Sequence, residues 1–340
     1  MVDLKLPKDE VSDASEYINK FVDCFKEELQ SKAPSGLCLD EFRSGSYYDK
    51  TKIGSPDEFD IMFYPSNINL KAEFDDRLPG YCKIKIQGQP PPEYRDLVTK
   101  DGYLNPWKFK DKLFKLFSEC IRSASFRPGR RTKRTERPPE SPAFTVLFDT
   151  VPGKQPIDID LVPSVQIQGW PKVARKIKPH WLKKEHAKHA MKMYHAVAKS
   201  CPYDVPNKEL YWRISFSHAE KTLVKFANNG NGNSRRKDIF RIMKQLKHYV
   251  KEQNPDKIEK FCSYHLKMFM LNEFDSWRGE VSNQDDLLIL VLETVYRLTR
   301  CLQRSTILNY FIRNDNILKF VPHGELDLVC KSFEKYNSSS

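Results

Sequence analysis

Residues 45–63 read GSYYDKTKIGSPDEFDIMF, and the fold turns on how EFDIMF is read. In an extended strand successive side chains point to opposite faces, so Glu58, Asp60 and Met62 share one face while Phe59, Ile61 and Phe63 share the other. Two acids two residues apart on a strand have Cα atoms roughly 6–7 Å apart, close enough for their side chains to converge on divalent cations. Taken alone, this pattern also fits an edge strand with a wet outer face. The residues just ahead add to it: Gly45-Ser46 opens a turn whose N–H groups and hydroxyl can hold a phosphate, because small residues let backbone approach an anion closely. Further on, IDIDLVPS (157–164) places Asp158 and Asp160 on one face of a second strand and Ile157, Ile159 and Leu161 on the other. Three acids on neighbouring strands would make a two-metal site possible, in which ions about 3.5–4 Å apart would stabilise the attacking and leaving oxygens of a phosphoryl or nucleotidyl transfer.

The chain of 340 residues is long enough for two domains of ordinary size. Its 39% apolar and 12% aromatic content fits a globular protein, and a formal net charge of +12 favours polyanionic partners such as nucleic acid, nucleotides or an anionic membrane. The longest mainly apolar run, Leu287 to Val295, is far too short to span a bilayer, and MVDLKLPKDEVSD at the start lacks a signal-type apolar segment. A soluble, cytoplasmic protein with no membrane segment is expected. The eight cysteines form no C-x-x-C pair and no Cys/His cluster of zinc spacing, so they read as reduced, mostly buried thiols. His186, His189 and His195 stand among Lys183, Lys184, Lys188 and Lys192 and read as part of a solvated basic helix.

Helical spacing of Ala14, Tyr17, Ile18, Phe21, Val22, Phe25 and Leu29 predicts a long amphipathic helix capped at Ser12 or Asp13. Strand alternation follows at 59–63, 81–86, 143–149 and 157–162, with a helix over 105–123 and a basic, proline-rich loop, RPGRRTKRTERPPESP, at 127–142. Beyond Gly169 strand signals nearly vanish, and helices are expected over 183–199, 218–228, 235–252, 256–272, 284–303 and 304–311. The reading is an α+β first half, residues 1–168, and a helical second half, residues 169–336. From 237 onward Lys237, Arg241, Lys244, His248 and Lys251 form a basic stripe opposite Ile239, Ile242, Met243, Leu246 and Val250.

The order G-S, then E-x-D, then a distant aspartate on a later strand resembles the polymerase-beta-type nucleotidyltransferases. Within them, GSYYDKTKIGSPDEFDIMF is similar to the active-site segment of cyclic GMP-AMP synthase and its animal relatives, the cyclic GMP-AMP synthase-like receptors. SPAFTVLFD, YWRISFSHAEK (211–221), RRKDIFRIMK (235–244) and KFCSYHLK (260–267) match that family in order and approximate spacing. The resemblance implies a two-lobed fold with a mixed-sheet N-terminal lobe behind a spine helix and a helical C-terminal lobe. It further implies Glu58, Asp60 and Asp160 as ligands of two Mg²⁺ or Mn²⁺ ions, with Asp160 preferred to Asp158 because it precedes a Leu-Val-Pro turn. Gly45 and Ser46 would hold a triphosphate. Arg213, Ser215, Ser217, Glu220, Lys244, Ser263 and Tyr264 would bind nucleotide, Arg213 reading a base edge and Tyr264 stacking on a base. Lys221, Lys237 and Arg241 would contact nucleic acid.

One departure stands out. Where vertebrate members carry a zinc-binding insertion, this chain has FANNGNGNSRRKD, and no cysteine lies between 202 and 261. No zinc is expected, and double-stranded RNA, read by shape through phosphates and 2′-hydroxyls, is favoured over DNA as activator. The implied activity is nucleic-acid-activated synthesis of a cyclic dinucleotide from two nucleoside triphosphates, ATP and GTP foremost, with a nucleic-acid-dependent dimer as a further expectation. The alternatives are a catalytically silent nucleic-acid-binding protein on the same fold and a synthetase of linear oligonucleotides.

Overall fold

The computed structural model describes residues 4–123, 132–134, 141–148, 156–228, 235–277 and 284–338. Helix α1 (Lys8–Lys32) starts a turn before the expected cap, at Pro7, with Asp9 and Glu10 in its first turn, where the helix dipole favours acids. Ala14, Ile18, Phe21, Val22, Phe25 and Leu29 are its buried stripe. Strands β1 (Leu39–Ser44) and β2 (Glu58–Pro65) flank the one-turn helix α2 (Gly45–Tyr48); β3 (Leu70–Phe74) and β4 (Tyr81–Ile86) follow. Helix α3 (Pro106–Arg122) has Pro106 in its first turn and is capped by Asn105, whose side-chain oxygen accepts from the N–H groups of Trp107 and Lys108 at 3.0 Å each. The rings of Phe63 and Phe117 each meet Phe25 edge-on at 5.4 Å, so β2, α3 and α1 close one core.

The remaining strands are β5 (Thr132–Arg134), β6 (Phe144–Phe148), β7 (Ile157–Gln168), β8 (Met193–Val197) and β9 (Tyr211–Ser215), with α4 (Lys184–Ala190) ahead of β8. The sheet runs β1-β2-β7-β8-β9-β4-β3, with β6 also on β7 and β5 on β6. Strand β7 changes partners midway. Its first half pairs in parallel with β2 up to Pro163 and antiparallel with β6, and from Ser164 it pairs with β8. A proline has no N–H for a ladder, so the hand-over falls where one is missing. Phe59, Ile61, Ile159 and Leu161 on the two parallel strands are fully buried. Helices α5 (Ser217–Phe226), α6 (Arg236–Glu252), α7 (Ser263–Ser276), α8 (Gln284–Gln303) and α9 (His323–Ser338) complete an α+β fold.

Of the expected helices, two fail in part and one entirely. Within 183–199 only α4 is helical, and Met193–Val197 form β8, whose last four residues are all buried. A strand covered on both faces shows no alternation, so the apolar and histidine pattern mimics a helix. With β9, it carries the sheet past position 168. The helix over 256–272 begins only at Ser263. Residues 304–311 are a loop: Asn309 Nδ2 donates to Asp315 Oδ2 at 2.9 Å while its side-chain oxygen accepts the Phe311 N–H at 2.9 Å. Asparagine side chains here compete with the helix for backbone groups. The sequence pattern predicts neither strands β1 and β3 nor helix α9. Most of the basic segment 127–142 lies outside the described residues, as do Asp149 and 229–234 within FANNGNGNSRRKD; the part of 127–142 that is described includes strand β5.

His195 sits on β8, buried, stacked on Phe42 at 5.2 Å and edge-on to Tyr64 at 5.3 Å, and neither ring nitrogen has a hydrogen-bond partner among the described residues. It is not on a solvated helix, contrary to the sequence reading. Burial, and then the neighbouring His218, pull its pKa down to about 3. Because the folded pKa lies below the unfolded one, the unfolded chain takes up a proton first as pH falls, and stability is lost from about pH 6.5 downward. Between pH 6.5 and 5 this amounts to about 2 kcal/mol. Urea unfolding at both pH values should show that loss in the wild type and most of it abolished in His195→Phe.

Candidate active site

Strand β1 delivers the chain to Ser44, paired with Asp60, and Gly45 turns it with a φ of 85°. The turn is then locked by its own backbone: Gly45 O accepts from Asp49 N–H at 3.0 Å, and Ser46 O accepts from the N–H groups of Thr51 and Lys52 at 2.9 and 3.0 Å. The Asp60 carboxylate lies so close to the Gly45 Cα that any side chain there would collide with it. The glycine-serine loop and the E-x-D strand are thereby built as one unit.

The parallel register of β2 and β7 sets Asp60 beside Asp160 and Glu58 beside Asp158. Thr145 on β6, the antiparallel partner of Asp160, donates its hydroxyl to Asp160 Oδ1 and orients that carboxylate. Burial, then the charges of Glu58 and Asp160, push the Asp60 carboxyl up to about 7. Glu58 is exposed and shares the Lys52 ammonium with Asp57, at 3.0 and 2.9 Å.

The donor set, all carboxylate oxygens with crowded negative charge, fits a hard divalent cation. Among the described residues no three His, Cys, Asp or Glu side chains are gathered as a metal cluster. Lys52 draws Glu58 one way and Thr145 holds Asp160 another, so a cation held by all three acids would have to displace Lys52 from Glu58.

These groups open onto a cleft of about 840 Å³ between β2 and helices α6 and α7. Ser46, Glu58, Asp60, Lys244, Ser263 and Tyr264 line it. Burial, then the nearby Lys267 and Lys52 ammoniums, pull Lys244 down to about 7, and its Nζ donates to Thr51 O at 2.8 Å. Arg213 on β9 lies behind Tyr264, its guanidinium carbon 5.9 Å from that ring and 5.6 Å from the ring of Tyr81. The hydroxyls of Ser215 and Ser217 bond each other at 2.8 Å, and Glu220 is buried against Lys267 at 3.2 Å.

The matches to known proteins follow this layout. Residues 47–225 match the Mab-21 protein nucleotidyltransferase domain, and residues 235–335 match the Mab-21 protein HhH/H2TH-like domain. The chain belongs to the Mab-21 nucleotidyltransferase family. It is 41% identical over 332 residues to a cyclic GMP-AMP synthase-like receptor of Magallana gigas, covering 96% of this chain and 56% of that protein. Identity to the cyclic GMP-AMP synthase of Sus scrofa is 26% over 332 residues, 92% of this chain and 65% of the relative. A mab-21-like 3 protein of Danio rerio is 25% identical over 272 residues, 77% and 64% of the two chains. The chain thus spans about three-fifths of the length of these Mab-21 relatives.

Within this Mab-21 domain pair, the basic stripe is not one exposed face. His248 and Lys251 are exposed, but Arg241 is buried, bonded to Lys50 O and to Asp238 Oδ1 at 2.9 Å. Lys221 donates to Arg43 O at 2.8 Å and Lys237 to Lys225 O at 2.9 Å. Periodicity on α6 reveals which side chains share a face, not which of them a neighbouring loop covers. Sequence reasoning missed Lys267, whose Nζ lies 2.8 Å from Asp49 Oδ2, and Asp49 itself. A lysine within SYHLK and an aspartate three residues after Ser46 carry no pattern that separates them from solvated charges. Among the described residues, no helix is long and apolar enough to cross a membrane.

Proposed function

We propose that this chain is a nucleic-acid-activated nucleotidyltransferase that joins two nucleoside triphosphates, ATP and GTP foremost, into a cyclic dinucleotide second messenger. The observation that carries the reading is the pairing of Asp60 with Asp160 across β2 and β7, directly beneath the glycine-serine turn. Glu58, Asp60 and Asp160 would hold two Mg²⁺ or Mn²⁺ ions, which when bound neutralise charge at the transferring phosphate and the departing pyrophosphate. Ser46 and the N–H groups of its turn hold the triphosphate, assisted by Lys244 and Ser263. Tyr264 offers a ring on which a base stacks, and Arg213 behind it presents a planar fork suited to a base edge. The 840 Å³ cleft has the volume for a small-molecule site, within about 300–1,000 Å³. No zinc is required in this reading. The names of the similar proteins, a cyclic GMP-AMP synthase and a cyclic GMP-AMP synthase-like receptor, favour cyclisation over linear synthesis.

Incubation with labelled ATP, GTP, CTP and UTP, Mg²⁺ or Mn²⁺, and duplex RNA or DNA tests this. A cyclic product that appears with duplex present supports it, and no product with any combination refutes it. We place the nucleic acid on the face carrying Lys221 and Lys237, with Arg241 supporting that face from within, and favour duplex RNA, a cytoplasmic setting and a dimer formed on the duplex. Lys237→Ala should weaken duplex binding with little sequence dependence and reduce the slope of log K against log salt by about one, since one phosphate contact is lost. Fluorescence anisotropy across a salt series measures it; an unchanged slope would remove Lys237 from the contact surface.

A further inference from the structure

Four cations on the helices reach to the end of β1 and the segment that follows it. Lys221 of α5 donates to Arg43 O, Arg241 of α6 to Lys50 O, and Lys244 of α6 to Thr51 O. The fourth, Lys267 of α7, differs because it grips a side chain. Its ammonium lies 2.8 Å from Asp49 Oδ2 and 3.2 Å from Glu220 Oε2, with the Asp49 side chain only 1% exposed.

We propose that Lys267 is the positioning residue for the glycine-serine turn, acting through Asp49 so that the turn is held in its phosphate-binding form. Asp49 is the residue whose N–H closes the turn on Gly45 O, so anchoring its carboxylate anchors the turn's exit. The other oxygen, Asp49 Oδ1, is buried with no hydrogen-bond partner among the described residues, which leaves the Lys267 contact as the hydrogen bond that restrains this side chain. Glu220 on α5 fixes the ammonium from the other side, so the turn is referenced to two helices at once. An ammonium between two buried carboxylates is stabilised in its charged form, and its pKa is raised, through Asp49 and Glu220, despite the burial that opposes this. Truncating it would strand two buried carboxylates, which costs far more than losing an exposed pair.

The inference rests on the phosphate-binding reading of the turn, and its test separates the two. Hydrogen exchange of the amides of residues 49–52 needs no catalysis. In Asp49→Asn, which leaves the Lys267–Glu220 pair in place, these amides should exchange about tenfold faster while those of β2 and α7 stay unchanged. Lys267→Met should do the same or more, and Lys267→Arg should restore protection to within about threefold. In steady-state assays Asp49→Asn should lower kcat about tenfold or more with KM for nucleotide raised, and Lys267→Arg should recover most of it. Unaltered exchange at 49–52 in Asp49→Asn would overturn the proposal, as would loss of protection spread evenly over β2 and α7. A wild type that makes no product refutes the function while the exchange result still decides the positioning role.

Discussion

Asp160→Asn should lower nucleotidyl transfer by about a thousandfold, the scale on which a missing transition-state charge partner acts. Asp60→Asn should do the same, whereas Asp158→Asn should cost less than about tenfold. Both aspartates of β7 share a face, yet only Asp160 has Asp60 as its cross-strand neighbour, and its charge is among those that raise the Asp60 carboxyl. Asp158 sits a step away, beside Glu58, with its own N–H bonded to Asp57 O at 2.7 Å. The amide introduced by Asp160→Asn keeps an oxygen to accept the Thr145 hydroxyl, so a fall in rate would report lost charge rather than lost packing.

Binding gives a readout apart from turnover. Titration with Mn²⁺ followed by electron paramagnetic resonance should show binding in the wild type and in Asp158→Asn, and weak or no binding in Asp60→Asn and Asp160→Asn. The sign of the pH effect follows from the raised Asp60 carboxyl. With a folded pKa of about 7, above the unfolded value, its contribution to stability is present below about pH 4 and is lost as pH rises through 7. A cation that neutralises the cluster should therefore raise the melting temperature more at pH 8 than at pH 6. A dead Asp158→Asn beside an active Asp160→Asn would reverse the assignment.

How much of this was written in the chain depends on the element. The alternation in EFDIMF and IDIDLV placed β2 and β7 correctly because in each the acidic positions are less buried than the apolar ones packed beneath; Phe59, Ile61, Phe63, Ile159 and Leu161 are all at most 1% exposed. The periodic stripe of α1 was equally legible, since one face alone meets the core. MYHAV was not, because a strand covered on both sides loses the period that identifies strands. The register that sets Asp60 against Asp160 is a tertiary fact: about a hundred residues separate the strands, and no local spacing records which positions will pair. The same limit applied to charge. Periodicity set Lys244 and Arg241 on one basic stripe and marked nothing at Lys267, yet all three are turned onto the segment 49–52, where carbonyls and a carboxylate take the place of water.

Gly45→Ala should reduce kcat/KM by about a hundredfold or more, for two reasons that a control can separate. The backbone at 45 has a φ of 85°, which an L-residue adopts at a cost of about 1–2 kcal/mol. That strain alone would lower stability and leave chemistry largely intact. The second reason is specific: a Cβ at this position would drive into the Asp60 carboxylate, and Asp60 lies on a central strand whose neighbours Phe59 and Ile61 are wholly buried, so the strand cannot retreat. The carboxylate must swing away instead, and with it goes the geometry shared with Asp160. Gly88 has nearly the same φ, 80°, with open space where its Cβ would lie. Gly88→Ala should therefore lower the melting temperature by a similar amount while keeping kcat/KM within about twofold, and Mn²⁺ affinity should fall in Gly45→Ala only. Equal activity in the two variants would mean that Asp60 can move without consequence, and the coupling of the turn to the acidic strand would have no part in catalysis.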